Sequence, residues 1–424
     1  MDTSPSAPNA AGSVATTPAP TGISGQLIFS TMAASLGGLL FGFDTAVISG
    51  TTDALTAVFG LNSFWLGFTV ASALVGTIVG SVLVSRPADV WGRRQTLALL
   101  AVFYFVSAVG CGLAWDWYSL LAFRFLGGVA VGGASVVAPM YIAEISPARL
   151  RGRLVAVQQF NIVLGMLLAF LSNYAIARVD SGPSAWRWMF SVQAIPSAAF
   201  FVLMFLTPDT PRWLVARSRL DEARSVLNTL GTDTDGVEKE IQEILGSLDP
   251  SHHTMQEPFL TRKYKVPIML AVAIAMFNQL SGINAVLYYA KHVFEMAGAG
   301  SDAALLQAVA VGGTNMIFTM LAMTVIDHFG RRKLMIAGSI GYIVSLTTTA
   351  WAFYTYGTHF TTVGSIIVLC SLLAFIGSHA FSQGAVIWVF ISEIFPNRVR
   401  ARGQALGSLT HWTMATLIAL TFPR

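Results

Sequence analysis

Asp89-Val-Trp-Gly92-Arg93-Arg94 returns as Asp327-His-Phe-Gly330-Arg331-Arg332, and Glu144-Ile-Ser-Pro147-x-x-x-Arg151 returns as Glu393-Ile-Phe-Pro396-x-x-x-Arg400. Two compound motifs recur in the same order at nearly the same displacement, so the chain reads as two copies of one structural unit. Around each copy run apolar stretches of about 20 residues, the length that crosses a hydrocarbon core of roughly 30 Å. Spans are expected near 25–50, 64–85, 95–114, 119–143, 154–177, 187–207, 266–290, 304–326, 333–354, 362–392 and 403–422. The fold class is therefore an all-α integral membrane protein of two pseudo-symmetric bundles. A structural repeat of this kind places a substrate site near the bilayer midplane, between the halves.

Composition points the same way. Hydrophobic residues make up 54% of the chain and charged residues 11%, with a mean hydropathy of +0.65, whereas soluble domains run near a quarter charged. The formal charge of +4 does not indicate nucleic acid, because the basic residues sit in short clusters between apolar spans. Those clusters hold Arg86/Arg93/Arg94, Arg149/Arg151/Arg153, Arg331/Arg332/Lys333 and Arg398/Arg400/Arg402, and they occupy alternate connections. The positive-inside rule turns these connections, and the N-terminus, to the cytoplasm of a multi-pass cell-membrane (plasma or inner) protein. Cys111 and Cys370 both fall in apolar spans, which excludes a disulfide framework or zinc site and reads as packing. No metal or cofactor motif is present, nor a nucleophile constellation, so enzymatic chemistry is not expected.

Residues 1–24 are rich in Ala, Pro, Ser and Thr and read as a disordered cytoplasmic tail. The N-terminal bundle follows over 25–207. Residues 208–265 form the one long polar segment, where Val237, Ile241, Ile244 and Leu245 recur at helical spacing beside Glu238, Glu240 and Glu243. This predicts amphipathic helices linking the first bundle to the second, at 266–424. His252 and His253 in that segment read as solvated.

Several further motifs stand in register with these. The first span reads Gly37-Gly-Leu-Leu-Phe41-Gly-Phe43-Asp44-Thr-Ala-Val-Ile-Ser-Gly50, and the fourth carries Arg124-Phe-Leu-Gly-Gly. Pro139-Met-Tyr141-Ile-Ala-Glu144 closes the fourth span, and Pro208-Asp209-Thr210-Pro211-Arg212-Trp213 follows the sixth. The seventh holds Asn278-Gln279-Leu-Ser-Gly282-Ile-Asn284-Ala-Val-Leu-Tyr288-Tyr289, and the tenth has Gly384-Ala-Val-Ile-Trp388 before Ser392-Glu393. Together, over residues 25–424, they resemble the sugar-porter family of the major facilitator superfamily, which includes proton-sugar symporters and glucose facilitators. The sequence departs from that pattern at Ser85 (usually Gly), at Asp209 and Thr210 (usually Glu and Ser) and at Asn278 (often Gln). The family has twelve spans, and the last is not found before Thr421-Phe-Pro-Arg424.

Asp44 lies well inside an apolar span, where an ionised carboxylate must be paired or protonated and is a functional candidate by default. The resemblance pairs it with Arg124, which would favour the charged form when close and release it when the helices separate. A static structural pair is the competing reading. Facilitators of the family usually carry Asn at this position, so Asp44 favours proton coupling.

A sugar presents many hydroxyls and needs neutral amides plus an aromatic face. Asn284 and Tyr288 are four apart, as are Asn315 and Thr319, so each pair shares a helix face. By resemblance Gln159, Asn278, Gln279 and Trp388 match sugar-contacting positions, as do Phe41, His411 and Trp412. Any one buried amide has an alternative use as interhelical glue. Gly282 and Gly384 suit helix interruptions where backbone lines a cavity.

The acids and arginines at one membrane face (Asp89, Arg93, Glu144, Arg151, Arg212, Asp327, Arg331, Glu393 and Arg400) read by resemblance as gate pairs that latch the two halves. Orientation alone does not account for the acids, since Asp and Glu contribute little to topology. The expected function is import of a monosaccharide, hexose or pentose, by proton symport, in a protein whose partners are the sugar, protons and the lipid bilayer, acting as a monomer. Uncoupled facilitation and a non-transporting sugar sensor stay open at this level.

Overall fold

The computed structural model describes residues 24–180, 182–232, 234–248, 258–357, 359–396 and 399–423. Nearly all of the expected tail lies outside these residues, as do His252, His253, Arg398 and the side chains of Asp327 and Arg400. Every regular element described is a helix.

Among the described residues ten helices are long and apolar enough to cross a membrane: Gly25–Gly50, Ser63–Val90, Arg93–Gly112, Trp117–Ile145, Arg151–Val179, Ala185–Phe205, Arg262–Tyr288, Ser301–Ile326, Arg331–Tyr356 and Thr362–Trp388. The eleventh expected span is the helix Arg400–Thr421. Its composition is too polar to meet the same measure, yet it lies against the second and seventh spans. Starts are written locally: Ser24 Oγ accepts from Leu27 N–H at 3.1 Å, Asn62 Oδ1 from Trp65 N–H at 3.0 Å, and Asp116 and Ser119 form a reciprocal capping box, each satisfying amides that a helix leaves open.

Lipid removes most of the hydrophobic drive between helices, so tight association relies on small residues that let backbones approach. The second and fourth spans show this. A Cβ on Gly76 or Gly80 would strike carbonyl oxygens of Phe125 and Val129, and one on Gly128 or Gly132 would strike those of Ala73 and Thr77. Gly42 and Gly165 close the first and fifth spans together in the same way. Buried amides add glue at that seam: Asn161 Nδ2 donates to Ser35 Oγ at 2.9 Å and Asn173 Nδ2 to Val47 O at 3.0 Å.

The first six spans pack among themselves, as do the seventh to eleventh, and the two groups meet through the fifth with the eighth and the second with the eleventh. In the chain between them come the helices Pro211–Ala216, Leu220–Thr229 and Thr234–Leu248. Their small core holds Trp213, Leu214, Leu227, Val237 and Ile241, with Ile244 at its edge. Leu245 belongs to the outer side and is exposed. The linker is tied to the first group by Trp213 Nε1 and Arg217 Nη2, which donate to Asp89 O at 3.1 and 3.2 Å.

Of the helix interruptions, two bear on the site. The seventh breaks at Gly282, whose φ of +84° lies in the left-handed region that residues with a Cβ disfavour. The tenth passes through a π-helical turn at Ala380–Gly384, a local widening common at functional sites. Cys111 is buried as a packing residue, but Cys370 is exposed on the outer surface of the tenth span, because its helix turns that position away from the bundle.

Candidate functional site

Both interruptions border one cavity between the two groups of helices. Its water-accessible space is about 120 Å³, several times the ~10–15 Å³ that a single ordered water needs, so it admits a small polyhydroxylated molecule. All ten residues expected to contact sugar line it: Phe41, Gln159, Asn278, Gln279, Asn284, Tyr288, Asn315, Trp388, His411 and Trp412. Thr319 joins them, as the four-residue spacing from Asn315 predicts.

The polar side chains form a chain of amides along the seventh span. Asn284 Nδ2 donates to Gln279 Oε1 at 2.7 Å, Gln279 Nε2 donates to Asn278 Oδ1 at 2.9 Å, and Asn278 Nδ2 donates to Gln383 Oε1 on the tenth span at 3.3 Å. Gln279 Nε2 also lies 3.1 Å from His411 Nε2. Asn278 and Gln279 are almost fully buried, so they need partners in the absence of bulk water, and each keeps further donor or acceptor capacity for a ligand. Aromatic rings close the cavity around them. Trp388 and His411 have centroids 4.9 Å apart, His411 and Trp412 5.0 Å, and Phe41 of the first span meets Trp412 of the eleventh at 5.6 Å.

Sequence reasoning missed His379, Thr45, Met166 and Gln383. His379 lines the cavity with its Nδ1 3.1 Å from the Tyr342 hydroxyl, and a histidine in mid-span was itself a signal. Thr45 and Met166 also line it, whereas their residue types carry no such signal.

Asp44 and Arg124 face each other beside this cavity. Arg124 Nη1 donates to Asp44 Oδ1 at 3.4 Å, with the two side chains 3% and 10% exposed. Arg124 sits with its guanidinium carbon 5.5 Å from the centre of the Phe190 ring, and its Nε has no protein partner. The single long contact leaves the pair less than fully satisfied, since a guanidinium offers five donors. A second pocket of about 10 Å³ lies against this pair, and it shares Phe41, Thr45, Tyr288 and Trp412 with the main cavity. The carboxylate and the amides are thus separated by one layer of side chains, and that layer includes a ring contact between the two halves.

At the arginine-rich end, Arg93 pairs with Asp89 at 3.2 Å and with Glu144 at 3.1 Å, and Thr210 Oγ1 donates to Glu144 Oε2 at 2.6 Å. Arg94 reaches Asp209 at 3.5 Å; burial pushes the Asp209 carboxyl up, and the Arg94 charge draws it back. In the second half Arg331 pairs with Glu393 at 3.2 Å. Arg151 Nε donates to Ala143 O at 3.0 Å, and Arg212 is exposed. Among the described residues these pairs therefore stay within one half each, where a latch between halves was expected. Ion pairs that cross between halves stand at the opposite end instead: Lys291 with Asp53 and Arg178 with Asp302. The physical reason is conformational, because halves that touch at one end are splayed at the other.

Residues 30–424 match the family described as "Sugar (and other) transporter". The D-xylose-proton symporter of Escherichia coli (strain K12) is 39% identical over 434 residues, covering 93% of this chain and 85% of the relative. The arabinose-proton symporter of Bacillus subtilis (strain 168) is 32% identical over 392 residues, covering 92% and 83%. Among solved structures, the partially occluded inward-open conformation of the xylose transporter XylE from E. coli superposes with a TM-score of 0.82 at 36% identity, covering 94% of this chain and 91% of that one. The chain belongs to the sugar transporter family, and its helices take the major facilitator fold.

Proposed function

We propose that this protein imports a monosaccharide, a pentose or hexose, by proton symport through alternating access. The observation that carries this reading is that the amide- and aromatic-lined cavity shares a wall with the pocket of a buried Asp44–Arg124 pair. Relatives named as D-xylose-proton and arabinose-proton symporters support it. In this reading Gln159, Asn278, Gln279, Asn284, Asn315 and His411 hydrogen-bond the sugar hydroxyls, and Trp388, Trp412, Phe41 and Tyr288 cover its apolar faces. Asp44 takes a proton when the halves part toward the proton-rich side, and Arg124 expels it when the pair re-forms. Because Phe41, Thr45, Tyr288 and Trp412 border both pockets, a sugar that moves these side chains changes the surroundings of the carboxylate.

The charged motifs act as a cytoplasmic gate, with Asp89, Arg93 and Glu144 from one half and Asp327, Arg331, Glu393 and Arg400 from the other latching the two halves when they close at that face. Arg151 and Arg212 stand at the same face, where they meet partners across the interface when the halves close there. The N-terminus is cytoplasmic, the protein sits in the cell membrane as a monomer, and residues 25–207, 208–265 and 266–424 are first bundle, linker and second bundle. Chemistry on the sugar forms no part of this reading.

Radiolabelled uptake into proteoliposomes across a panel of pentoses, hexoses and polyols, with and without an imposed proton gradient, tests it. Accumulation above the external level that collapses with a protonophore is the expected result. Equal levels on both sides at every pH difference would leave an uncoupled facilitator, and absence of flux for every sugar would refute transport.

A further inference from the structure

Lys291 is unusual among the cations of this chain. It lies on the short helix Ala290–Met296, which continues the seventh span at the end remote from the arginine clusters, and its side chain is only 9% exposed. The ammonium contacts Asp53, which belongs to the first half, and reaches Glu295 one turn along its own helix at 3.1 Å. Its backbone N–H donates to Ser49 Oγ, also of the first half, at 3.3 Å. Asp53 follows Ser49 and Gly50 at the outer end of the first span, the helix that carries Asp44.

Asp53, His292 and Glu295 could also bring three ligand atoms within 4.8 Å of one another. The ammonium already lies against both carboxylates, however, so a cation of the chain itself occupies the place a metal would take. The two partners are unequally dry. Asp53 is 42% exposed and can be hydrated where it stands, whereas the Lys291 head is not. Removing Asp53 therefore leaves the buried ammonium with Glu295 alone and with no tie to the first half, and opening the halves at this end supplies the missing water.

We propose that Lys291 is the charged bolt of the outer gate: its bond to Asp53 across the two halves holds the cavity shut toward the exterior and sets the balance between inward- and outward-facing states. The device rests on the alternating-access reading above but not on sugar or proton being the cargo. Each opening to the outside breaks Lys291 from Asp53 while Glu295, on the same helix, travels with it, so the ammonium keeps one counter-ion as it enters water. The bond acts on the population of the outward-facing state, not on the cavity contacts, which lie on the other side of Tyr288 and Tyr289.

The test is external access to the cavity, measured without transport. In a chain with Cys111 and Cys370 replaced by Ser, Ile283→Cys places a thiol on the cavity wall, and a membrane-impermeant maleimide is applied from outside right-side-out vesicles. Asp53→Asn is expected to raise the labelling rate about tenfold, because a ~1.4 kcal/mol change in the balance of states is a tenfold change in population. Asp53→Glu is expected to keep the parent rate, and Lys291→Met, which removes the same bond from the other half, to raise it as Asp53→Asn does, with no further rise when the two are combined. Parent-like labelling in Asp53→Asn or in Lys291→Met, or fully additive rises in the combined variant, would overturn the proposal. If labelling follows the expected pattern while no sugar is taken up, the bolt stands and the transport reading falls.

Discussion

Replacing Asp44 with Asn removes the charge while keeping the shape, and the structure sets the size of the effect. Among the described residues Asp44 is the one acid buried within the spans, so under the proposed coupling one carboxylate would carry one proton per cycle. One charge moved across 100 mV is worth about 2.3 kcal/mol, and at ~1.4 kcal/mol per tenfold this sustains roughly 40- to 50-fold accumulation of sugar. The pair itself is suited to release. At 3.4 Å an effective dielectric near 20 gives roughly 5 kcal/mol of attraction, and the cost of drying both groups is of similar size, so neither protonation state is locked. Asp44→Asn is expected to bring steady-state accumulation down to onefold while exchange of labelled for unlabelled sugar continues. The assay is uptake into proteoliposomes under an imposed potential and pH difference, with counterflow measured on the same preparation. Accumulation of more than a few-fold in Asp44→Asn would refute the assignment and leave the Asp44–Arg124 contact as a structural pair.

Gln279→Ala removes the side chain on which Asn278, Asn284 and His411 converge; each buried group left unpartnered costs about 1–3 kcal/mol, so sugar affinity is expected to fall roughly ten- to hundredfold, read by quenching of Trp388 and Trp412 fluorescence. Gly282→Ala meets no atom within 4 Å, so its cost is the backbone alone, about 1–2 kcal/mol for a Cβ in the left-handed region; the detergent melting temperature is expected to drop with little change in expression, and an unchanged melt would show that the seventh helix straightens freely. Gly128→Val drives a side chain into the Ala73 carbonyl, and overpacking of this kind costs about 1–3 kcal/mol or more; the expected outcome is a loss of monodisperse protein on gel filtration, and a wild-type profile would contradict the close packing of the second and fourth spans.

Membrane class, the doubling of the fold and most of the cavity wall were legible in the residues. Apolar length marks spans directly because lipid tolerates only backbone satisfied within its own helix, and the doubled Asp-x-x-Gly-Arg-Arg and Glu-x-x-Pro motifs expose the repeat however the helices are arranged in space. Asn284 with Tyr288, and Asn315 with Thr319, were paired by helical period alone, and each pair faces the cavity. What the residues left open were choices between equivalent neighbours. Gln158 and Gln159 are adjacent and chemically identical, yet Gln158 is buried against Gly38 of the first span and Gln159 lines the cavity, because one residue turns a helix by about 100° and only packing against a second helix says which side is inward. Asn161 and Asn173 became glue between the first and fifth spans, while Asn278 and Asn284 met a void. His379 was missed for the same reason, since a lone mid-span histidine acquires a direction only when the tenth helix widens at Ala380–Gly384. Which pairs bridge the halves was likewise beyond the sequence. Among the described residues Arg93 with Glu144 and Arg331 with Glu393 stay within their own halves, and the bridges fall to Lys291 with Asp53 and Arg178 with Asp302, because a contact between halves depends on which end of the molecule is closed, a property of the assembled helices and not of any stretch of chain.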